Sequence, residues 1–224
     1  MLSGASRRMD VVADNIANMT TPGFKSHVAF AAYVEAGSIE QGAPNLASSL
    51  DLSDGKLVNT GNPLDLAIAG SGFFVVRSGD KILYTRDGQF RRDDEGHIVT
   101  DSGMILQTTA GDASAENGTI TVSGEGKISQ RGKDLGQIAL VSFRDPASLK
   151  LVEGGYFQAP ADSAEIVSAP RVVQGSIEQS NTSDATQMLA LMGALRSAES
   201  GQHIIQVYDD LLQQAAGVFG ARQG

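Results

Sequence analysis

Cysteine and tryptophan are both absent from this chain of 224 residues. Without cysteine the chain can form no disulfide framework and no thiolate metal site, and no thiol can act as a nucleophile. Aromatic residues make up only 5% of the sequence, whereas 26 residues are glycine, so we expect a turn-rich and lightly packed middle. No apolar run approaches the roughly 20 residues that a membrane helix requires. We therefore expect no insertion into a membrane.

Basic residues are scarce relative to acidic ones. The 17 lysines and arginines stand against 26 aspartates and glutamates, which gives a formal net charge of −9 at pH 7. Because proteins grip phosphate backbones mainly through lysine and arginine, nucleic acid is not an expected partner. Arg7 and Arg8 lie near the start, but no uninterrupted apolar stretch follows them. We therefore expect no cleavable secretory signal peptide, and export would need another route.

Two stretches near the ends of the chain have the apolar spacing of helices. Near the start, steps of three and four residues separate Leu2, Ala5, Met9, Val12, Ile16 and Met19. This pattern ends at Pro22, which cannot continue a helix. Near the other end, the same spacing separates Met188, Leu191, Leu195 and Ala198. A wider apolar stretch follows, which includes Ile205, Tyr208 and Leu212. A lone helix of about 30 Å is marginal in water, so we expect these helices to pair.

The middle of the chain has the pattern of a β-domain. Short runs rich in β-branched and aromatic residues alternate with glycine, aspartate and asparagine from about Gly61 onwards. Between two of these runs, Asp87–Gly88 is typical of a two-residue hairpin turn. The sequence thus predicts an α+β fold in which terminal α-helices pair into a coiled-coil-like assembly domain around a central antiparallel β-rich domain. The predicted boundaries are 1–36 for the N-terminal helix and turn, 37–60 for a connector, 61–170 for the β-domain and 171–224 for the C-terminal helix.

Candidate chemical motifs are incomplete. The three histidines are far apart and have no metal-ligand spacing, and Ser71 lacks the G-x-S-x-G pattern of a nucleophile elbow. Residues 124–127 and the acidic residues 93–96 lack the spacing of a phosphate loop and of a calcium loop, respectively. Both are interpreted as turns between strands. We therefore expect no catalytic residues, no metal and no cofactor, although a secreted cell-wall enzyme stays open as the alternative class.

Four ordered blocks of sequence resemble the flagellar rod and hook family. Residues 10–25, DVVADNIANMTTPGFK, are similar to an amino-terminal signature that runs approximately VVAxNIANxxTxGFK. Residues 60–76 resemble the family's entry into its β-domain, and residues 84–90, YTRDGQF, match its YTRxGxF motif. Residues 174–181, QGSIEQSN, resemble the QGxLExSN element that leads into the C-terminal helix. Together these blocks are distributed in order between residues 10 and 181.

The resemblance implies a structural subunit of the bacterial flagellar basal body and not an enzyme. Such a subunit would leave the cell through the flagellar type III export apparatus, without a cleavable signal peptide. It would join axial and lateral rod neighbours in a periplasmic drive shaft that transmits torque. Within the family, residues 136–143 and the following Asp145–Pro146 resemble the proximal rod type most, and the distal rod type is the alternative.

The helical patterns and the resemblance together define two sets of candidate residues. The expected assembly interface consists of Leu2, Met9, Val12, Ile16, Met19, Met188, Leu191, Leu195, Ile205, Tyr208 and Leu212. The residues that match the family's motifs are Asn15, Ala17, Asn18, Thr21, Gly23, Phe24, Gly175, Glu178, Ser180 and Asn181. At Gly23, the turn after Pro22 predicts a backbone with positive φ.

Overall fold

The computed structural model describes residues 2–31, 46–145, 148–152, 154–160 and 163–220. These residues form two compact units. Unit 1 comprises Met1–Ala17, His27–Ser49 and Ser183–Gly224, and unit 2 comprises Asn18–Ser26 and Leu50–Thr182. The chain therefore passes between the units several times instead of completing one before the other.

Unit 1 is mainly helical. Its helices are α1, Leu2–Ala17, and α2, Asp184–Gly220, and a two-stranded sheet pairs β1, His27–Ala31, with β2, Leu46–Leu50. At the start of α2 the amide of Gln187 donates a hydrogen bond of 2.9 Å to the carbonyl of Ser183, and Asp184 places an acidic side chain in the first turn. That polar start stabilises the helix N-terminus.

The predicted coiled-coil-like pairing of the terminal helices is wrong, although the α+β class holds. Helix α1 contacts α2, but it has 16 residues and α2 has 37. Met188 and Leu195, both expected in the seam, are 58% and 46% exposed. The more buried stripe of α2 consists of Gln187, Leu191, Ala194, Ala198 and Gly201. A coiled coil needs large apolar side chains at its seam positions, whereas this stripe is largely small or polar.

Unit 2 is built from short strands. In chain order they are Leu57–Asn59 (β3), Leu66–Ile68 (β4), Phe73–Ser78 (β5), Lys81–Thr85 (β6), Phe90–Arg92 (β7), Ile98–Thr100 (β8), Ile105–Thr108 (β9), Gly111–Asp112 (β10), Thr121–Val122 (β11), Lys127–Gln130 (β12), Lys133–Gln137 (β13), Leu140–Phe143 (β14), Lys150–Val152 (β15), Tyr156–Gln158 (β16), Ala164–Ile166 (β17), Val172–Gln174 (β18) and Ser176–Glu178 (β19).

A ten-stranded antiparallel sheet forms the centre of unit 2. Its main order is β15-β16-β6-β5-β9-β8-β7, while β14 pairs with β5 and β17, and β10 pairs with β9. Strands β11, β12 and β13 form a second sheet. Two further pairs join distant parts of the chain, β18 with β4 and β19 with β3. These last pairs bring the segment before α2 back to the start of the unit.

Strand β5 is buried on both of its faces. Successive side chains of a strand point to opposite faces, and here Phe74 and Val76 pack into one apolar cluster while Phe73 and Val75 pack into another. The first cluster also contains Phe90, Ile98, Leu106, Ile128 and Ile138, and the second contains Val141, Leu149 and Phe157. Cover on both faces explains why residues 73–76 form a continuous apolar run.

The predicted hairpin turn at Asp87–Gly88 is wrong. Strand β6 pairs with β5 and β16, whereas β7 pairs with β8. A Cβ atom at Gly88 would lie 1.5 Å from the carbonyl oxygen of Leu66, so this glycine permits a close backbone approach. Strand β6 is instead joined to β5 by a two-residue turn at Gly79–Asp80, where Gly79 has a φ of 59°. The predicted turns at 93–96 and 124–127 do connect paired strands.

Candidate assembly site

Helix α2 carries many large apolar side chains that are exposed to solvent. Their exposed fractions range from 45% for Val207 to 71% for Leu189. We call this set the α2 apolar surface, and it consists of Met188, Leu189, Met192, Leu195, Ile204, Ile205, Val207, Tyr208, Leu211 and Leu212. Single exposed apolar residues are common on proteins, whereas an extended exposed series of this kind is a candidate for an interaction surface.

The residues predicted for the assembly interface lie in different environments. Val12 is buried, and Met9, Ile16, Met19 and Leu191 are half-buried. The other predicted α2 residues belong to the α2 apolar surface, namely Met188, Leu195, Ile205, Tyr208 and Leu212. The side chain of Leu2 lies outside the part of the chain that the structure describes. The predicted residues therefore do not form one continuous exposed face in this chain by itself.

Asn15 is a buried polar residue of α1. Its amide nitrogen donates a hydrogen bond of 2.8 Å to the carbonyl of His27, and its amide oxygen accepts one of 2.8 Å from the amide of His27. The same amide nitrogen also donates to Oε1 of Gln187 at 3.3 Å. Burial lowers the pKa of His27. Asn15 thus fixes the start of β1 against α1, whereas the neighbouring motif residue Ala17 is exposed.

A tight turn follows α1. The amide of Thr21 donates to the carbonyl of Asn18 at 3.1 Å, and the amide of Phe24 donates to the carbonyl of Thr21 at 3.3 Å. The predicted positive φ at Gly23 is confirmed, with a value of 68°. A Cβ atom at Gly23 would also lie 2.3 Å from the carbonyl carbon of Arg86. Glycine is therefore required for space as well as for conformation.

Glu178 lies at the centre of a buried set of polar contacts in unit 2. Its Oε1 atom is 2.7 Å from Nζ of Lys25 and accepts a 2.7 Å hydrogen bond from the amide of Gly55. Its Oε2 atom is 2.9 Å from a guanidinium nitrogen of Arg86. Its backbone carbonyl accepts a 2.7 Å hydrogen bond from the amide of Gly23. We call Lys25, Gly55, Arg86 and Glu178 the Glu178 cluster.

The remaining residues of the last motif hold the backbone of unit 2. The amide oxygen of Asn181 accepts a 2.8 Å hydrogen bond from the amide of Ser26, and its amide nitrogen donates to the carbonyl of Asp51 at 2.8 Å. Ser180 accepts a hydrogen bond from the amide of Thr182 through its hydroxyl oxygen. Gly175 has a φ of 74° and donates to the carbonyl of Asp65 at 2.8 Å. Most of the motif residues therefore organise the fold instead of forming a reactive centre.

Lys25 and Arg86 were not predicted as site residues. Both stand in the sequence blocks that carry the resemblance: Lys25 directly follows Phe24, whereas Arg86 lies between Thr85 and Asp87. A lysine or arginine that is buried needs an anionic partner, because an isolated buried charge is costly. The sequence could not show which acidic residue pairs with them, since Glu178 is 153 positions from Lys25 and 92 from Arg86.

Comparisons with known proteins identify the family. A model described as "Flagella basal body rod protein" matches residues 2–25, and one described as "Flagellar hook protein FlgE/F/G D1 domain" matches residues 67–130. The flagellar basal-body rod protein FlgF of Caulobacter vibrioides is 30% identical over 206 residues, which cover 87% of this chain and 84% of the relative. FlgG of Buchnera aphidicola (subspecies Acyrthosiphon pisum) is 30% identical over 240 residues and covers 92% of both chains. FlgG of Agrobacterium fabrum is 29% identical over 236 residues, which cover 91% of this chain and 90% of the relative.

The chain belongs to the flagellar basal-body rod family. Like the rod proteins to which it is similar, it is a structural protein and not an enzyme, so the cell-wall enzyme considered as an alternative is not supported. Among the residues that the structure describes, no helix of this rod protein is both long and apolar enough to cross a membrane. The same part of the chain holds no group of three or more histidine and acidic side chains placed to bind a metal ion.

Proposed function

We propose that this rod-family protein is a structural subunit of the proximal rod, of the FlgF type, and that it polymerises through its terminal helices. The resemblance of residues 136–143 and the following Asp145–Pro146 to proximal rod proteins supports this choice. Relatives of both the FlgF and the FlgG type match the chain at 29–30% identity, so a distal rod subunit is the alternative. The identity of the axial neighbours separates the two types.

The observation that carries the proposal is the α2 apolar surface. Burying a large aliphatic side chain contributes roughly 1.5 to 3 kcal/mol relative to its exposure. Association and side-chain ordering cost roughly 4 to 15 kcal/mol. Burial of several α2 side chains would offset that cost. Helices in close contact also resist sliding, because their interface is packed as densely as a crystal of small organic molecules. An assembly packed in this way is suited to transmitting torque.

The proposed partners are other rod subunits, both axial and lateral, and the flagellar type III export apparatus. The relatives are named flagellar basal-body rod proteins, which supports a place in the periplasmic rod. The division into segments 1–36, 37–60, 61–170 and 171–224 stays a prediction. Limited proteolysis of the full chain tests those boundaries.

Charge placed on the α2 apolar surface tests the proposal. We expect Leu195→Asp to abolish incorporation into basal bodies and swimming motility, because an unpaired carboxylate in a dry interface costs several kcal/mol. The matched control is Ile166→Asp, at an apolar residue of β17 that is 76% exposed. Circular dichroism of both purified variants should show an intact β-sheet signal. Normal rods and normal swimming in the Leu195→Asp strain would remove α2 from the interface.

A further inference from the structure

The Glu178 cluster joins segments that are far apart in the sequence. Lys25 lies in the first motif, Arg86 directly follows β6, and Glu178 ends β19. The side chains of Lys25, Arg86 and Glu178 are 0%, 2% and 1% exposed, respectively. All three belong to unit 2. Their contacts are therefore internal to one compact unit and do not depend on the proposed function.

The charges in the cluster are unequal, because two buried cations share one buried carboxylate. Asp54 lies 3.7 Å from a guanidinium nitrogen of Arg86, but its side chain is 53% exposed, so water screens its charge. Backbone carbonyls accept further hydrogen bonds from the cations: Lys25 donates to Ser53 at 2.6 Å, and Arg86 donates to Gly70 at 2.8 Å. Desolvation lowers the pKa of Lys25, and its hydrogen bond to Glu178 opposes that shift.

Close backbone approach around Glu178 reinforces the electrostatic contacts. A Cβ atom at Gly55 would lie 1.9 Å from the carbonyl oxygen of Gln179, and one at Gly23 would lie 2.3 Å from the amide nitrogen of Asp87. The segments that carry Lys25, Gly55 and Arg86 therefore reach the carboxylate only where glycine leaves room. The arrangement therefore requires that these segments pack against one another.

We infer that Glu178 is a positioning residue that holds two distant segments of unit 2 together, because its carboxylate is the counter-ion of the cations that these segments carry. Without Glu178, the two buried cations of the cluster would lose the carboxylate that pairs with both of them, and an uncompensated buried charge is costly. Without Lys25, a neutral Arg86–Glu178 pair would remain. Unit 2 therefore completes its packing only when the segments around Lys25 and Glu178 are both in place.

The inference predicts an unequal response to two substitutions in the full chain. Glu178→Gln should accelerate amide hydrogen exchange on the order of 100-fold in residues 23–26, 53–55 and 175–181 together. Lys25→Met should have a smaller effect on the same segments. Adding Lys25→Met to Glu178→Gln should slow exchange again, because the double variant buries one unpaired cation where the single variant buries two.

Hydrogen exchange measured by mass spectrometry on the full chain tests these expectations, with Glu165→Gln as the control. Glu165 pairs with Arg144 at the surface, where such pairs contribute little, so this variant should exchange like the parent. Faster exchange confined to residues 175–181, or purely additive effects of the two substitutions, would overturn the inference. If Glu178→Gln alone does not fold, a folded double variant supports the inference and an unfolded one overturns it.

Discussion

At the scale of single residues, Gly23 combines two constraints that the sequence could only partly reveal. The turn chemistry predicts its positive φ, which the structure confirms at 68°. The nearness of the backbone at Arg86 and Asp87 was not predictable, because those residues come from a distant part of the chain. Gly61 offers a matched comparison, since it has a φ of 74° and nothing within 4 Å of an added Cβ atom.

We expect Gly23→Ala to destabilise unit 2 by about 3–5 kcal/mol and Gly61→Ala by about 1–2 kcal/mol. In both variants an alanine is strained by the left-handed backbone conformation, whereas only Gly23→Ala adds a steric clash. Gly23→Asn should not be milder than Gly23→Ala, because asparagine tolerates the conformation but its Cβ atom meets the same backbone. Urea denaturation followed by circular dichroism measures these differences. Equal losses at positions 23 and 61 would show that the close approach has no energetic consequence.

Asp87 gives a prediction for pH. Burial raises the pKa of Asp87 to about 6, and the nearby carboxylates of Asp101 and Asp65 add to the shift. Because the folded state then binds this proton more tightly than the unfolded state, the contribution to stability is full below about pH 4 and is lost as the pH rises to about 6. Asp87→Asn should therefore stabilise the protein by about 1–3 kcal/mol at pH 7 and by little at pH 4.

Urea midpoints at pH 4, 5, 6 and 7 test the expectation for Asp87→Asn. Asp94→Asn is the control, because Asp94 is exposed in the turn between β7 and β8. Asparagine keeps an oxygen that can accept the hydrogen bond from the amide of Gln89, so the turn is preserved. The same gain in stability at every pH would contradict the assignment of the shift to ionisation of Asp87.

At the scale of elements, local sequence patterns predicted where the central strands lie better than they predicted which strands pair. The sequence pattern predicts β-rich runs from about Gly61 onwards, and β5 and β6 lie in that region, but Asp87–Gly88 does not form a hairpin turn. Strands β3, β4, β18 and β19 have three residues each, and each pairs with a strand that lies more than 100 residues away in the sequence. Segments this short carry too little periodicity to reveal such pairing. The predicted seam of α2 was wrong because the more buried stripe of the helix consists largely of small and polar residues.

The contact between α1 and β1 depends on Asn15. We expect Asn15→Ala to destabilise unit 1 by about 1–3 kcal/mol, because the amide and the carbonyl of His27 both lose their hydrogen bond to Asn15. Gln187→Ala should cost less, since it removes only the 3.3 Å contact and leaves the bonds to His27. Hydrogen exchange in α1 and at residues 27–31 measures both. Equal exchange rates in the two variants would indicate that the bonds to His27 are not decisive.

At the scale of the whole molecule, the central claim is that the chain is a rod subunit that assembles through α2. The motif blocks predicted the family because they are distributed along nearly the whole chain. The assembly interface was less predictable, since a helical apolar pattern does not distinguish packing within a chain from packing between chains. The absence of cysteine provides a direct route to a test, because any cysteine that is introduced is the only one in the protein.

Cross-linking in purified basal bodies tests the claim most directly. Gln206 is an exposed polar residue of α2 beside the α2 apolar surface, so Gln206→Cys places one thiol near the proposed interface without removing an apolar side chain. After treatment of basal bodies with a short cross-linker that carries a maleimide at one end and an N-hydroxysuccinimide ester at the other, we expect this chain to be linked through α2 to a lysine of a neighbouring rod subunit. Basal bodies that are complete but lack this chain would contradict the account, as would a rod-located chain with no α2 adduct.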